Sequence, residues 1–252
     1  LQGVNIVIHT AARAHIMEDK SSDPLSEFRK VNVDGTLNFA RQSAEAGVKR
    51  FVFISSVKVN GEATELGKPF TEVVDSVPVD PYGLSKYEAE QGLRALSTET
   101  GMEVVIVRAP LVYGAGVKAN FKTLMKWLAC GIPLPLGAIN NGRSLLALDN
   151  LVDFILTCIA HPAAANQTFL ASDDHDLSTS ELLKLLGGAL GKPARLFSVP
   201  ASWIKIATKL FGKSAIYQRL CGSLQVDISK AKNMLSWTPP ISIEEGLKRA
   251  AT

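Results

Sequence analysis

The stretch KRFVFISSVKVNG, from Lys49 to Gly61, decides the fold of this chain. Four apolar residues, Phe51 to Ile54, stand together, and two serines follow them at once. A short apolar run of this kind is typical of a strand that is buried on both faces of a parallel sheet. The sequence therefore predicts such a strand, with Ser55 and Ser56 at its carboxyl end.

Similar runs occur on either side of this stretch. The other segments that indicate strands are VNIVIHTAA (residues 4–12), MEVVIVRAPLVYG (102–114) and NQTFLAS (166–172). Helical spacing occupies residues 23–47, 80–101 and 149–162 between them. Strands that alternate with helices predict an α/β fold, a doubly wound parallel sheet covered on both faces.

The C-terminal part has a different pattern. A capping box, Ser178 to Glu181, opens one helix, and further helical segments follow it. This pattern predicts a smaller, mostly helical lobe. One of its segments, Ser202 to Leu220, is amphipathic and basic, and we interpret it as a lid helix packed on the body rather than as a helix that lies on a membrane.

Composition argues against several classes of protein. The 252 residues are 46% hydrophobic with a net charge of +3, and no run of Lys and Arg suggests a nucleic-acid groove. Cys130, Cys158 and Cys221 are odd in number and lack metal-ligand spacing, so we interpret them as reduced thiols of a cytoplasmic protein without a metal site. No stretch is long and apolar enough to be an integral membrane segment.

The carboxyl ends of parallel strands meet at one rim of the sheet, and ligands bind there. Ala11 and Ala12 follow the first strand and Ser56 ends the second. The next helix opens with Tyr82 and, four residues later, Lys86, a spacing that makes them neighbours. Such a pair is either ordinary solvated helix surface or an ammonium that favours the phenolate of the tyrosine. Its place at the rim with Ser56 favours the second interpretation, in which Lys86 lowers the pKa of Tyr82 and makes it a proton acceptor.

These residues make the chain resemble the extended short-chain dehydrogenase/reductases, and in particular the NAD-dependent nucleotide-sugar epimerase/dehydratase family. Within that family it resembles the 4-epimerases of UDP-glucose and UDP-N-acetylhexosamine. The motifs that carry the resemblance are VIHTAA (7–12), NVDGT (32–36), FISS (53–56), YGLSK (82–86), VRAPLVYG (107–114), RSLLALDNLVD (143–153) and DISKAKNMLSWTP (227–239). The resemblance implies a Rossmann-like dinucleotide-binding domain over residues 1–172, within which 115–145 contribute to the substrate lobe. Residues 173–252 would form the rest of that lobe.

The resemblance also implies roles for individual residues. Ser56, Tyr82 and Lys86 would be catalytic: Tyr82 takes the proton of a sugar hydroxyl, Ser56 holds that oxygen, and Lys86 also grips the nicotinamide ribose. The implied cofactor-binding residues are Ala11, Ala12, Arg13, Asn32, Ser55, Tyr82, Lys86 and Pro110. The implied substrate-binding residues are Ser56, Asn120, Arg143 and Arg219. Asn60 and Leu111 depart from the tyrosine and asparagine of many sugar epimerases, which points to a different sugar pocket.

The implied function is a nucleotide-sugar 4-epimerase that acts on a UDP-hexose or UDP-N-acetylhexosamine through a 4-keto intermediate, with NAD, or else NADP, as cofactor. One alternative is an NAD(P)H-dependent reductase of UDP-4-keto-6-deoxy-sugars. An alternative of another class is a non-catalytic dinucleotide-sensing regulator. The presence of the Tyr82–Lys86 pair together with Ser56 argues against this alternative.

Two expectations concern the assembly and the N-terminus. The family likeness implies a homodimer through helices 38–46 and 84–98, with Phe39, Leu93 and Leu96 buried between subunits. It also implies that a glycine-rich turn and further strands precede Leu1. The strand at residues 5–10 would then lie at an open edge or pair across chains, and these 252 residues alone would not be a competent enzyme.

Overall fold

Four parallel strands form the central sheet of the computed structural model, which describes residues 1–14, 23–116, 119–210, 212 and 214–251. Their order in the sheet is β1-β2-β3-β6, and β4 and β5 form a separate parallel pair. The strands are β1 (Ile6–His9), β2 (Arg50–Ser56), β3 (Glu103–Ala109), β4 (Leu111–Tyr113), β5 (Leu145–Ala147) and β6 (Thr168–Leu170). The predicted α/β fold with a parallel sheet is confirmed.

Helices connect these strands. They are α1 (Pro24–Arg29), α2 (Thr36–Glu45), α3 (Pro81–Thr100), α4 (Ala119–Ala129), α5 (Leu148–Ala160), α6 (Thr179–Ala189), α7 (Ala201–Leu210), α8 (Ser214–Cys221), α9 (Ser229–Leu235) and α10 (Ile243–Ala251). Two caps recognisable in the sequence are formed. The Ser178–Glu181 capping box opens α6, and Gly101, with φ +74°, ends α3 in the left-handed conformation that glycine adopts without strain.

The strand predicted within residues 49–61 is β2, one of the two inner strands of the sheet. Phe51, Val52 and Phe53 are fully buried, because β1 and β3 flank the strand and helices cover both faces. Strand β1 pairs with β2 alone among the described residues, so it lies at the sheet edge as predicted. Ile8 of β1 is 45% exposed at this edge.

Two segments differ from the prediction. The pattern at 23–47, predicted as one helix, is α1, a π-helical segment at Lys30–Gly35, and α2. The pattern at 102–114, predicted as one strand, is β3 and β4, which separate at Pro110. Proline has no N–H to donate to a ladder, and β4 leaves the central sheet there to pair with β5.

Apolar side chains form separate clusters on the sheet and in the second lobe. The lobe cluster unites Tyr113, Phe121 and Leu145 with residues of α6 and α10. The chain then returns to the sheet: Val226–Trp237, which the sequence assigned to the lobe, packs in the cluster around β3 and β6. The division at residue 172 stays a prediction, but the C-terminal segment contributes to both cores.

Helix α7 lies within the segment that was predicted to be a packed lid. Ala201 and Ile204 pack, half-buried, against the lobe cluster, but no residue of α7 is buried. Trp203, Ile206 and Leu210 are 70%, 59% and 80% exposed. The predicted packing on the body is therefore made by the inner face of this helix, and the outer face is exposed. Within the described ranges, no helix is long and apolar enough to cross a membrane.

The structure also corrects the proposed dimer contacts. Leu93 and Leu96 of α3 are 0% and 3% exposed in the single subunit, where they pack with Phe51 and Ala40. They cannot be buried a second time between subunits. Phe39 also packs at the side of this cluster, half-buried.

Candidate active site

A close approach between α3 and the loop after β2 creates the site. Asp80 caps α3 by accepting a hydrogen bond from Gly83 N at 2.9 Å. A Cβ atom on Gly83 would stand 2.7 Å from the carbonyl oxygen of Lys58, so only glycine permits this packing. The first turn of α3 therefore lies directly on the segment that follows Ser56.

Tyr82 and Ser56, predicted to act together, are hydrogen-bonded to each other through their side chains. Ser56 Oγ also accepts a bond from Lys58 N at 3.2 Å, which orients the hydroxyl at the end of β2. The rings of Tyr82 and Phe28 are tilted against each other, with their centroids 5.9 Å apart. The structure thus brings the predicted proton acceptor and the predicted oxygen-holding serine into contact.

Lys86 lies one turn further along α3 and is 2% exposed. Its Nζ donates to the carbonyl oxygen of Ile54 at 2.8 Å and lies 4.2 Å from the centre of the Phe53 ring. Burial lowers the pKa of Lys86 to about 8, while the negative charge of Glu90 acts in the opposite direction.

The expected effect of Lys86 on Tyr82 is not what the structure shows. Burial is the largest influence on Tyr82 and raises its pKa above the usual value of about 10. The hydrogen bond with Ser56 lowers that pKa, and the nearby Asp80 raises it. Burial prevails because a phenolate loses more solvation in this site than Ser56 restores.

A buried ionic network beneath Lys86 was missed by the sequence reasoning. Glu90, 0% exposed, accepts two hydrogen bonds from Arg108 and one from Ser55 Oγ at 2.6 Å. Arg108 also donates to Asn60 Oδ1 at 3.1 Å and to the carbonyl oxygen of Glu72 at 3.0 Å. The sequence contains one indication of this network, because Glu90 follows Lys86 by four residues and so lies on the same helix face.

This network engages two residues that the sequence analysis singled out. The hydroxyl of Ser55 donates to Glu90 in the interior, and a contact of Ser55 with the cofactor stays a prediction. Asn60, which departs from the tyrosine of many sugar epimerases, donates to the carbonyl oxygens of Thr71 and Val73 at 2.7 and 2.8 Å. Asn60 therefore holds the loop that precedes α3.

The loop after β1 is held by Asn32 of the π-helical segment. Asn32 Oδ1 accepts from Arg13 N at 2.8 Å, and its Nδ2 donates to Arg13 O at 3.1 Å and to Ser85 Oγ at 2.9 Å. Asn32 therefore bonds the backbone of the β1 loop and links this loop to α3. Ala11 is exposed and Ala12 half-buried on this loop.

His9, at the end of β1, has a structural role. Its Nε2 and Thr36 Oγ1 share a hydrogen bond of 3.0 Å, and its ring stacks on Phe53 with centroids 5.9 Å apart. Burial first and the charge of Lys86 second lower the pKa of His9. Both effects favour the neutral ring beside the buried ammonium.

The predicted substrate residues lie in the second lobe and at its junction. Arg143 Nη1 donates to Gly222 O at 3.1 Å, next to the end of α8, and the exposed Arg219 belongs to α8 itself. Asn141 donates to the same Gly222 oxygen at 2.8 Å, so α8 is anchored beside Arg143.

Two further predicted site residues lie elsewhere. Asn120 lies in α4, but its side chain is outside the described residues. The cofactor candidate Pro110 is buried between β3 and β4.

The part of the chain that the structure describes contains no cluster of three or more His, Cys, Asp or Glu residues able to hold a metal ion. Cys158, one of the predicted reduced thiols, is buried, and burial raises its pKa to about 12. Cys130 is exposed and Cys221 half-buried, and all three are free thiols.

Comparison with known proteins places this geometry in a family. The model of the NAD dependent epimerase/dehydratase family matches residues 1–171. A Vibrio cholerae protein named UDP-glucose 4-epimerase is 54% identical over 252 residues, which is 100% of this chain and 77% of that protein. An Escherichia coli O157:H7 protein named N-acetyl-alpha-D-glucosaminyl-diphospho-ditrans,octacis-undecaprenol 4-epimerase is 29% identical, over 99% of this chain and 77% of that protein.

Solved structures show the same fold. The UDP-glucose 4-epimerase of Thermotoga maritima, with UDP-glucose, has a TM-score of 0.76 at 24% identity, covering 98% of this chain and 76% of that one. The dTDP-glucose 4,6-dehydratase DesIV of Streptomyces venezuelae, with NAD bound, has a TM-score of 0.75 at 25% identity, covering 99% and 73%. The family match, the 54% identity and the shared fold together show that this chain belongs to the NAD-dependent epimerase/dehydratase family of enzymes.

Proposed function

We propose that this enzyme interconverts the C4 epimers of a nucleotide sugar, a UDP-hexose or a UDP-N-acetylhexosamine, through a 4-keto intermediate. The observation that carries the proposal is the hydrogen-bonded pair Tyr82–Ser56 beside the buried Lys86, at the carboxyl rim of the sheet. The 54% identity to a protein named UDP-glucose 4-epimerase supports the reaction type.

The residues of the site suit a reversible transfer of one proton at a sugar hydroxyl. Tyr82 takes the proton of the C4 hydroxyl during oxidation and returns it during reduction. Ser56 holds the same oxygen in line with the phenol through its own hydroxyl. Burial raises the pKa of Tyr82, and in the proposed reaction the ammonium of Lys86, one turn away, acts in the opposite direction because a positive charge favours a nearby phenolate.

The rim also fits the cofactor. Small side chains at Ala11 and Ala12 leave the backbone after β1 open to approach. One N–H of Lys86 is used by the carbonyl oxygen of Ile54, so the ammonium retains donors for a ribose hydroxyl. When bound, NAD supplies the hydride acceptor and donor of the reaction.

Arg143 and Arg219 are our candidates for the substrate diphosphate. A guanidinium binds phosphate oxygens in pairs through its planar fork. Arg143 lies at the carbonyl of Gly222, three residues after Arg219, so both basic side chains come from the same part of the second lobe. Their separation from Tyr82 along the chain is consistent with a long substrate whose sugar and diphosphate ends are held by different lobes.

The test is incubation of the full-length protein with UDP-glucose, UDP-galactose, UDP-GlcNAc and UDP-GalNAc, each read by proton NMR of the sugar. We expect C4 epimers to form in both directions without consumption of added NADH or NADPH. A 4-keto-sugar reductase, the rival of the same fold, would instead require a 4-keto substrate and oxidise one equivalent of NADPH per product. Absence of C4 inversion with all four sugars would refute the proposal.

A second candidate substrate is a sugar diphosphate carried on a polyprenol. The E. coli relative is named for a substrate of this kind, and the exposed apolar face of α7 favours a membrane-bound substrate. Its sugar is also joined to a diphosphate, so the same catalytic residues would serve. Incubation with undecaprenyl-diphospho-GlcNAc in detergent, followed by mild acid release and sugar analysis, separates this candidate from the UDP-sugars.

A further inference from the structure

The outer face of α7 is an apolar ridge without a covering in the described chain. The exposed residues Trp203, Ile206 and Leu210 are spaced by three and four positions, so they lie along one side of the helix. The opposite side, with Ala201 and Ile204, packs against the lobe core and fixes the orientation of the ridge. A ten-residue helix held in this way presents its apolar side outward rather than burying it.

Basic residues are frequent in the stretch of sequence that contains this ridge. Lys205 and Lys209 of α7 are exposed. The sequence from Leu182 to Val226 contains seven basic residues and no Asp or Glu: Lys184, Lys192, Arg195, Lys205, Lys209, Lys213 and Arg219. Because the whole chain has 27 basic and 24 acidic residues, the remainder carries 20 against 24 and is net negative. The excess of positive charge is therefore concentrated in the segment of the sequence that contains α7.

We infer that α7 docks this enzyme on an anionic lipid bilayer. A helix with tryptophan and aliphatic side chains on one face and lysines beside them lies in the plane of a membrane interface, with its apolar side among the acyl chains. Tryptophan is favoured at that depth, and each nearby lysine adds attraction to anionic headgroups. The acid-free segment around α7 complements the charge of such a surface.

A second copy of this chain suits the surface less well. A two-fold contact through the ridge would place α7 of one subunit against α7 of the other. The same acid-free segment would then face itself, and like charges oppose each other across an interface. The apolar stripe of α5, with Val152 and Leu156 at 49% and 58% exposure, lies next to Asp149 and Asp153 and lacks this charge pattern.

The experiment is flotation of the full-length protein with large unilamellar vesicles in a density gradient. One vesicle preparation contains phosphatidylcholine and phosphatidylglycerol at 70:30, and the other contains phosphatidylcholine alone. We expect the protein to float with the first and to stay in the bottom fraction with the second. Binding to the anionic vesicles should fall steeply between 0.05 and 0.5 M NaCl, because salt screens the lysines.

Variants assign the binding to the ridge. I206E/L210E should abolish flotation, and K205Q/K209Q should weaken vesicle binding by about tenfold or more, since each lysine contributes to headgroup attraction. The matched control L156E adds a negative charge to the exposed stripe on α5 and should float like the wild type. Circular dichroism and turnover of a UDP-sugar distinguish a folding defect from a docking defect.

Three results would overturn the inference. They are wild-type protein that does not float with anionic vesicles, I206E/L210E protein that floats as well as the wild type, and a ridge variant that only converts a dimer into a monomer by light scattering. The inference does not depend on the proposed reaction, because vesicle binding is measured without substrate.

Discussion

Arg108 and Glu90 form an ion pair closed to solvent: Nε and Nη2 of Arg108 donate to the two carboxylate oxygens of Glu90 at 3.0 and 2.6 Å, with side-chain exposures of 1% and 0%. Glu90 stands one helical turn after Lys86 on α3, and Arg108 stands on β3. The pair therefore ties the helix that carries Tyr82 and Lys86 to the middle of the sheet. Its carboxylate also opposes the burial effect on the pKa of Lys86.

Glu90→Gln should lower the free energy of unfolding by about 3–5 kcal/mol, because it leaves the Arg108 guanidinium buried without its counter-charge. Glu88→Gln is the control, since Glu88 pairs with Arg29 at partly exposed positions where an ion pair is worth less than about 1 kcal/mol. Urea denaturation of both variants measures the difference. Equal and small losses would show that the buried pair adds little beyond its packing.

Tyr82→Phe should reduce kcat by roughly 10²–10⁴-fold, because positioned proton transfer is worth that much. Tyr87→Phe, on the same helix, removes a phenol outside the Ser56 pair and should retain near-normal turnover. Sugar NMR under saturating substrate measures both. Normal turnover of Tyr82→Phe would remove the phenol from the mechanism.

Lys86 should make activity and stability change in opposite directions with pH. Its pKa of about 8 in the fold lies below the unfolded value near 10.5, so between these pH values the unfolded chain binds the extra proton. The free energy of unfolding contributed by this group therefore rises as pH increases from 8 to 10.5. Over the same interval the ammonium is lost, so kcat/KM should fall.

Lys86→Met tests both parts of this prediction. The variant should lose the stability increment between pH 8 and 10.5 in thermal melts, and it should be inactive at every pH. Its melting temperature at pH 7 should equal or exceed that of the wild type, since a buried charge has been removed. A stability profile unchanged from that of the wild type would show that Lys86 is not the titrating group.

Gly83→Ala should impair catalysis, because the added methyl carbon would stand 2.7 Å from the Lys58 carbonyl oxygen and force α3 away from Ser56. We expect a loss of tenfold or more in kcat, as small displacements in a site cost about 10²-fold. Gly188→Ala in α6 is the control: its Cβ meets nothing within 4 Å, so it should stabilise the protein by about 0.5–1 kcal/mol. Undiminished turnover in Gly83→Ala would mean that the close approach is dispensable.

The homodimer through α2 and α3 stays a prediction, now with different contacts. Because Leu93 and Leu96 belong to the subunit core, the contact must use exposed positions of these helices such as Asn38, Gln91 and Ala95. Ala95→Arg should convert a dimer to a monomer by light scattering at micromolar concentration. Ala163→Arg, also exposed but outside these helices, should leave the mass unchanged. A monomeric wild type would reject the prediction.

Local signals were sufficient for much of the fold. The apolar runs of β2 and β3 are buried strands, and their order with the intervening helices predicted the parallel sheet. The caps at Asp80 and Ser178 and the stop at Gly101 are also local, because each involves atoms within one helical turn. The rim position of Ser56 and Tyr82 follows from strand direction alone.

The buried polar groups could not be assigned in this way. Asn60 offered no local indication that it would bond Arg108 and the 71–73 backbone, since that pairing exists only when β3 lies beside the loop. The periodicity of α3 showed an apolar side at Leu93 and Leu96, but a periodicity does not say whether the same subunit or a second one covers it. The π-helical turn at Asn32 likewise depends on contacts with Arg13 and Ser85, far away in the chain.

The sequence by itself determined where the buried strands of the central sheet lie, where α3 and α6 begin, and that Tyr82 and Lys86 share a helix face, because these properties depend on neighbouring residues and on side-chain chemistry. Only the tertiary structure decided that burial raises the pKa of Tyr82, that Glu90 and Arg108 neutralise each other beneath Lys86, and that α7 turns its apolar side outward. The physical reason is that solvation, ion pairing and coverage are properties of the whole packed chain, summed over atoms that the sequence order keeps apart.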